Sequence, residues 1–233
     1  DWFNLLSEGR KTNMQATSVT RILVWSRGLR LAHWSLALSS IGLLITGWLM
    51  NNTSVIATTT TEIHYMLSAL LLPALLFRLY LLFFGKGTDH LSACEPDLHR
   101  LSQAWLVLKF YLTLGKAPLP KWYSHNPFWG PLYLVLFFIL VLSSISGLMM
   151  LKDVALIGSL SLQALHHLCY QVVGAFTLLH ILSVFSHDLG GSGSDISGMI
   201  NGQRIFEVEQ SKQYHASKSH SVEIDDLLKT LRK

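Results

Sequence analysis

Residues 165–180 read LHHLCYQVVGAFTLLH, an apolar run that contains three histidines and no charged side chain. The run belongs to one of three stretches that lack Asp, Glu, Lys and Arg, namely 31–61, 122–151 and 154–187. A fourth stretch, 63–85, is interrupted only by Arg78. Each stretch is long enough to hold the roughly 20 apolar residues that cross a hydrocarbon layer about 30 Å thick. The sequence therefore predicts an integral membrane protein.

The composition agrees with a membrane protein and argues against other classes. Half of the 233 residues are hydrophobic and only 14% are charged, unlike an ordinary soluble domain. The formal net charge is +4, but the basic residues flank the apolar stretches and form no stripe with aromatic residues, so we expect no nucleic-acid partner. Cys94 and Cys169 lie far apart and outside any CxxC motif, which argues against a disulfide scaffold, a zinc site and covalently attached haem.

We predict an all-α fold, an integral membrane four-helix bundle with spans at 31–51, 62–84, 131–151 and 163–186. The chain then divides into an N-terminal segment 1–30, a transmembrane domain 31–187 and a C-terminal tail 188–233. The stretch 101–114 is amphipathic, so we expect a surface helix in the central loop. The tail beyond Gly190 is rich in Gly and Ser, and we expect an extension rather than a folded domain.

The basic residues also predict the orientation of the spans. They concentrate in 1–30, in the loop 86–130 and in the tail, whereas the loop 52–61 carries no charge. By the positive-inside rule, both termini and the central loop face the cytoplasm. The first and third spans then run outward, and the second and fourth run inward.

This orientation sorts four histidines into two levels. His33 and His180 lie toward the cytoplasmic side, and His64 and His166 lie toward the outer side. The 14 positions between His166 and His180 separate the levels by about 21 Å of helix. At about 100° per residue, His166 lies within roughly 40° of the His180 direction, whereas His167 lies about 140° away. We therefore expect His166 to be the functional member of the adjacent pair, and His167 to face lipid, a partner or a propionate.

Two imidazoles at each level are what haem b needs for bis-histidine coordination of its iron. We therefore predict two haem b groups with iron ligands from His33, His64, His166 and His180. Small residues at Gly47, Gly147 and Gly174 would let the flat macrocycle approach the helices. A lone intramembrane histidine more often forms a hydrogen bond or lines a polar path, and zinc would need about four ligands at one depth.

Two further residues, Arg78 and His125, have open roles. Arg78, deep in the second span, either extends its charge to the interface or pairs with a propionate of the inner haem, as Arg27 or Arg30 would. His125, in YSHNPFWG (123–130), is expected to be structural or close to a quinone rather than a ligand, because it lies at the membrane edge.

These residues resemble the cytochrome b subunit of membrane-bound nickel–iron hydrogenases, a family related to the gamma subunit of formate dehydrogenase. The resemblance is carried by five segments: RLAHWSLALSSIGLLITGW (30–48), EIHYMLSALLLPALLFRLYLLFFG (62–85), SHNP with the later SG (124–127, 146–147), LHHLCYQVVGAFTLLH (165–180) and SDISGMINGQRIF (194–206). It places the family's haem ligands on the same four histidines. Where the family often has Arg-Glu-Asp after the last ligand, this chain has Ser186, His187 and Asp188.

The resemblance implies an electron-transfer subunit in the bacterial inner membrane that does not itself act on hydrogen. It would take electrons from the iron–sulfur small subunit of a hydrogenase, which receives them from the large subunit, and pass them to a membrane quinone near the cytoplasmic face. Two alternatives stay open: a cytochrome b subunit for a formate or sulfur-compound oxidoreductase, and a self-contained oxidoreductase that takes electrons from superoxide. A haem-free transporter is a more distant alternative, and the oligomeric state is open.

Overall fold

The computed structural model describes residues 18–189 and 194–208. Most of this part of the chain is helical. The elements in order are β1 (Ser18–Leu23), α1 (Arg27–Asn52), α2 (Ala57–Phe84), α3 (Leu98–Leu112), α4 (Trp129–Met150), β2 (Leu156–Ile157), β3 (Leu160–Ser161), α5 (Leu162–His187), α6 (Asp195–Asn201) and β4 (Gln203–Val208), with short 3-10 turns at Ser54–Ile56, Gly87–Asp89 and Leu91–Ala93.

The chain divides into two units. In the first unit the described residues are 18–21 and 205–208, which belong to the paired strands β1 and β4. The second unit, Ile22–Arg204, contains the helices that the structure describes. It also contains the small hairpin of β2 and β3, in which Leu156 pairs with Ser161 and Ile157 with Leu160.

Four helices are long and apolar enough to cross a membrane: α1, α2 with its preceding 3-10 turn, α4 and α5. This confirms the predicted all-α class and identifies a multi-pass membrane protein. The helix ends lie within two residues of the predicted spans except at the starts of α1 and α2. Helix α1 begins at Arg27 and α2 at Ala57, four and five residues earlier than predicted, so the second half of the predicted loop 52–61 is helical. The hydroxyl groups of Thr60 and Thr61 donate to carbonyl oxygens one turn earlier in this threonine-rich stretch.

Polar side chains bond to the first turns of three of the four spanning helices. The Ser26 hydroxyl accepts the amide of Leu29 at the start of α1, and the Ser161 hydroxyl accepts the amide of Ala164 at the start of α5. At the start of α4, the Asn126 side-chain oxygen accepts the amide of Phe128 at 2.8 Å. Helix α2 has no such side-chain cap.

The apolar core lies between the two histidine levels. It is built from α1, α2, α4 and α5 by six buried residues: Leu36, Leu71, Ala74, Leu75, Leu140 and Val173. Val173 lies seven residues from both His166 and His180, about 10 Å along the helix from each. A continuous apolar layer therefore separates the outer histidines from the inner ones.

Two further helices lie outside the spans. The amphipathic stretch predicted at 101–114 forms α3, whose Val107 and Phe110 are buried while Leu101 and Trp105 are exposed. The second helix, α6, was not predicted. It ends at Gly202, whose positive φ of 89° favours glycine and whose carbonyl accepts the amides of Val24 and Trp25.

Candidate functional site

The structure brings the four histidines together as two pairs. The ring centroids of His33 on α1 and His180 on α5 are 6.5 Å apart. Those of His64 on α2 and His166 on α5 are 6.4 Å apart. We call these the inner pair and the outer pair. Helix α5 contributes one ring to each pair, so each pair connects α5 to a different partner helix.

The spacing within each pair fits an iron ion held between two imidazoles. A metal bonded at about 2 Å to one nitrogen of each ring would separate the ring centroids by roughly 6 Å. All four histidines are partly buried, as ligands between helices would be. Among residues 18–189 and 194–208, no three His, Cys, Asp or Glu side chains converge as a multi-ligand metal site requires. The donor sets therefore fit haem b better than zinc.

His167 takes part in neither pair. Its side chain is exposed, and its ring lies 5.8 Å from that of Tyr170. It lines a groove of about 390 Å³ at the start of α5, together with Ser161, Gln163, Ala164, Leu168 and Gln171. The helical angle that favoured His166 over His167 thus agrees with the observed geometry.

The outer pair is held by hydrogen bonds that the sequence analysis did not predict. The Nδ1 atom of His64 lies 2.8 Å from the Thr46 hydroxyl. The Nδ1 atom of His166 lies 3.0 Å from the Ser143 carbonyl and 3.1 Å from the Ser146 hydroxyl. The signal was present in the TG and SG dipeptides at 46–47 and 146–147, which the family resemblance already contained.

The glycines behave differently from one another. A methyl group at Gly147 would lie 3.3 Å from Cε1 of His166, and one at Gly47 would lie 3.9 Å from Cε1 of His64 and 3.6 Å from the Tyr170 ring. Both glycines thus face the outer pair. At Gly174 the nearest atom to such a methyl group is Cδ2 of Leu44 at 3.6 Å, and no histidine lies within 4 Å. The structure therefore does not place Gly174 against either histidine pair.

Aromatic rings surround the inner pair. Phe176 stacks on His180 at 5.8 Å, Trp129 and Tyr133 contact the same ring edge-on, and Trp34 contacts His33. The Nδ1 atoms of His33 and His180 are buried and have no hydrogen-bond partner among the described residues. The inner pair is thus enclosed by ring surfaces rather than by hydroxyl groups.

The two predicted arginines have protein partners. Arg78 is only 4% exposed, donates from Nη1 to the carbonyl of Asp89 at 3.1 Å and lies over the ring of Phe137. The segment after α2 therefore covers the Arg78 guanidinium, and both roles considered for Arg78 stay predictions. Arg30 donates from Nη1 to the carbonyl of Ile200, and its Nε atom is buried without a partner among the described residues.

A second polar cluster joins the end of α5 to α6. His187, 3% exposed, contacts the Tyr111 hydroxyl through Nε2 at 2.8 Å and Asp195 through Nδ1 at 3.1 Å. Asp195 also accepts from Arg204 at 2.9 Å. Burial alone would raise the pKa of Asp195, but the hydrogen bond from His187 and the charge of Arg204 hold it below its usual value of 3.8. The sequence analysis noted His187 only as a departure from the family pattern.

His125 packs beside this cluster and pairs with no other histidine of the described chain. Its ring meets Trp25 edge-on at 4.9 Å and Tyr133 at 6.1 Å. Burial, together with the charges of Arg78 and Arg100, lowers the pKa of His125 to about 3. The imidazole is therefore neutral at physiological pH, and the role of His125 stays a prediction.

Comparisons with known proteins identify the family of the chain. Residues 24–202 match the family described as prokaryotic cytochrome b561. Two curated relatives, from Azotobacter chroococcum mcd 1 and Azotobacter vinelandii, are each 26% identical over 224 residues, covering 82% of this chain and 91% of theirs. A third, from Rhizobium leguminosarum bv. viciae, is 26% identical over 215 residues, covering 80% and 90%. All three are named "Probable Ni/Fe-hydrogenase B-type cytochrome subunit". No solved structure gives a significant match.

Proposed function

Because the chain belongs to the prokaryotic cytochrome b561 family, we propose that it is a di-haem electron-transfer subunit that connects a nickel–iron hydrogenase to the membrane quinone pool. His64 and His166 would hold one haem b, and His33 and His180 the other. A haem iron with two imidazole ligands has no open position, so it exchanges single electrons rather than binding oxygen or substrate.

The observation that carries this proposal is the presence of two histidine pairs with nearly equal ring separations, 6.4 and 6.5 Å, on one shared helix. Structural histidines that merely satisfy local hydrogen bonds have no reason to repeat this spacing 14 residues apart. The apolar layer around Val173 and Leu140 then insulates the two levels from water. Such a layer would confine electrons to the route between the two pairs.

The residues around each pair would hold the flat group in place. Gly47 and Gly147 leave room beside the outer rings, where a side chain would approach the imidazoles. Phe176, Trp129 and Tyr133 provide flat apolar surfaces beside His180. The buried Nε atom of Arg30 is a candidate donor for an inner propionate, whereas Arg78 already donates to Asp89.

Direction follows from the predicted topology, in which the inner pair lies near the cytoplasmic face. Electrons would enter at the outer pair from an iron–sulfur partner and leave at the inner pair. Oxidation of hydrogen by the partner releases two electrons and two protons, and reduction of a quinone to a quinol consumes two of each. Inward transfer of one charge across the whole membrane works against about 2.3 kcal/mol per 100 mV. Proton uptake from the cytoplasm would then make the reaction electrogenic.

The hydrogenase partner is proposed from the names of the three relatives. It can be tested by adding electron donors to membranes that contain the native complex. We expect hydrogen gas to reduce the b-type haem in such membranes, which the absorbance spectrum of the haem reports. Added quinone should then reoxidise the haem. Formate, a reduced sulfur compound and a superoxide-generating system serve as the other donors. Reduction by one of these and not by hydrogen would contradict the hydrogenase assignment while leaving the cytochrome assignment intact.

A further inference from the structure

The outer histidines share a feature that the inner ones lack. A hydroxyl-bearing residue followed by glycine occurs at matching places on α1 and α4, as Thr46–Gly47 and Ser146–Gly147. Each hydroxyl contacts the Nδ1 atom of an outer histidine. The same local arrangement therefore serves both rings of the outer pair.

The hydrogen bonds around Thr46 match a His64 ring that binds iron. The Nδ1 atom of His64 lies 2.8 Å from the Thr46 hydroxyl. If Nε2 of His64 binds iron, as proposed above, Nδ1 carries the ring proton and donates to the Thr46 oxygen. The single proton of the Thr46 hydroxyl then has the carbonyl oxygens of Gly42 at 2.9 Å and Leu43 at 3.2 Å as acceptors.

The same reasoning applies to His166, where the direction of one hydrogen bond is fixed by a carbonyl acceptor. A carbonyl oxygen can only accept, so the Ser143 carbonyl at 3.0 Å requires a proton on Nδ1 of His166. The Ser146 hydroxyl also donates to the Ser143 carbonyl, at 2.9 Å, which leaves its oxygen to accept from Nδ1. Both outer rings are thus held as Nδ1–H donors toward protein acceptors.

This inference rests on the proposed haem ligation. We infer that Thr46, Ser146 and the Ser143 carbonyl are positioning groups that lower the reduction potential of the outer haem relative to the inner one. An acceptor on Nδ1–H makes the imidazole a stronger electron donor, which stabilises the oxidised iron. The rings of His33 and His180 have no such protein acceptor among the described residues. The difference makes electron transfer from the outer haem to the inner haem downhill.

The test is a potentiometric titration of the purified protein, monitored by visible spectra. The wild type should show two potentials, and removal of the outer haem by His166→Ala should leave the higher one. Thr46→Val keeps the side-chain volume and removes the acceptor. We expect Thr46→Val to raise the reduction potential of the outer haem by about 59 mV. For a one-electron couple this equals a tenfold change in the oxidised-to-reduced ratio at a fixed potential. Thr46→Ser should restore the wild-type value.

Two further variants complete the design. Ser146→Ala should give a smaller upward shift, because the Ser143 carbonyl remains. Ser39→Ala removes a buried hydroxyl of the same helix as Thr46. Among the described residues that hydroxyl bonds only to the carbonyls of Ser35 and Leu36, so the change should move neither potential. If Thr46→Val loses its outer haem, the outer potential of Ser146→Ala shows instead whether these hydroxyl groups lower the reduction potential.

The outcomes separate this inference from the proposed function. Fewer than two haems in the wild type would overturn the proposed function. Two bound haems with an unchanged outer potential in Thr46→Val, or in Ser146→Ala where that variant decides, would overturn the positioning role alone. An outer potential above the inner one in the wild type would also overturn it.

Discussion

The outer and inner histidine pairs have almost the same ring separation but different surroundings. The outer rings lie within hydrogen-bonding distance of the Thr46 and Ser146 hydroxyl groups and the Ser143 carbonyl, all within the membrane-spanning helices. The inner rings lie among aromatic side chains such as Trp129 and Phe176. Beyond them lies the charged cluster of His187, Asp195 and Arg204. Two pairs of the same residue type thus have different surroundings, one in contact with neutral hydroxyl groups and one next to an ionic network.

The largest expected effect is a difference in haem content between variants of the two adjacent histidines on α5, His166 and His167. His166→Ala should lose one of two haems, because a ligand of the outer pair is removed while His33 and His180 remain. His167→Ala is the matched control, since its ring is exposed and faces Tyr170. Haem per polypeptide, determined from the alkaline pyridine spectrum, measures both. Loss of a haem in His167→Ala and not in His166→Ala would reverse the assignment.

Acidification should affect the inner side before the outer side. Folding lowers the pKa of Asp195, so its contribution to stability is fully present above the unfolded value and is lost as pH falls through the folded value. His187 and Arg204 bond to its carboxylate, whereas Asp188 accepts the backbone amide of Asp195. The melting temperature of the purified protein should fall by a few degrees between about pH 5 and about pH 3 for this reason.

Asp195→Asn provides the control for that pH dependence. Its melting temperature should be lower than that of the wild type at neutral pH, and the part of the acid transition due to Asp195 should be absent. The proposed ligands of the outer haem contact neutral hydroxyl groups rather than an ionic network. The outer haem should therefore stay bound at a pH where the inner haem begins to dissociate. Simultaneous loss of both haems on the same acid transition would show that the two ends do not differ in this way.

The smallest expected effect compares two glycines. Gly147→Ala would place a methyl group 3.3 Å from Cε1 of His166, which is tight enough to require a shift of a few tenths of an ångström. It should therefore weaken retention of the outer haem during washing. Gly174→Ala introduces only an ordinary contact with Leu44 at 3.6 Å and should retain both haems. Equal haem retention in the two variants would mean that close packing against His166 is unimportant.

The membrane spans and the histidine levels could be predicted from the sequence because the signals for them are local. Charge-free stretches identify the spans, and the helical angle between 166 and 180 selects His166 over His167. Ligation by these histidines stays a prediction, although the rings meet as the depth argument requires. The early start of α2 was missed because threonine is a weak helix former by itself, and the side-chain bonds of Thr60 and Thr61 to the preceding turn become visible only in the fold.

The parts that could not be predicted depend on contacts between distant residues. Tyr111 and His187 are 76 residues apart, and Arg204 reaches the Trp122 carbonyl across 82 residues. A histidine at the end of a span gives no sign of such partners. Hydroxyl groups within apolar helices usually bond to their own backbone, as Ser39 does, so the additional contact from Thr46 to His64 was not evident either.

The haem content of the purified protein tests the central claim most directly. The account predicts two haem b per polypeptide in the wild type, one in His64→Ala with the inner haem retained, and one in His33→Ala with the outer haem retained. The two single-haem variants should differ in reduction potential. A wild-type protein with one haem or none, or the same remaining haem in both variants, would contradict the assignment of one haem to each histidine pair.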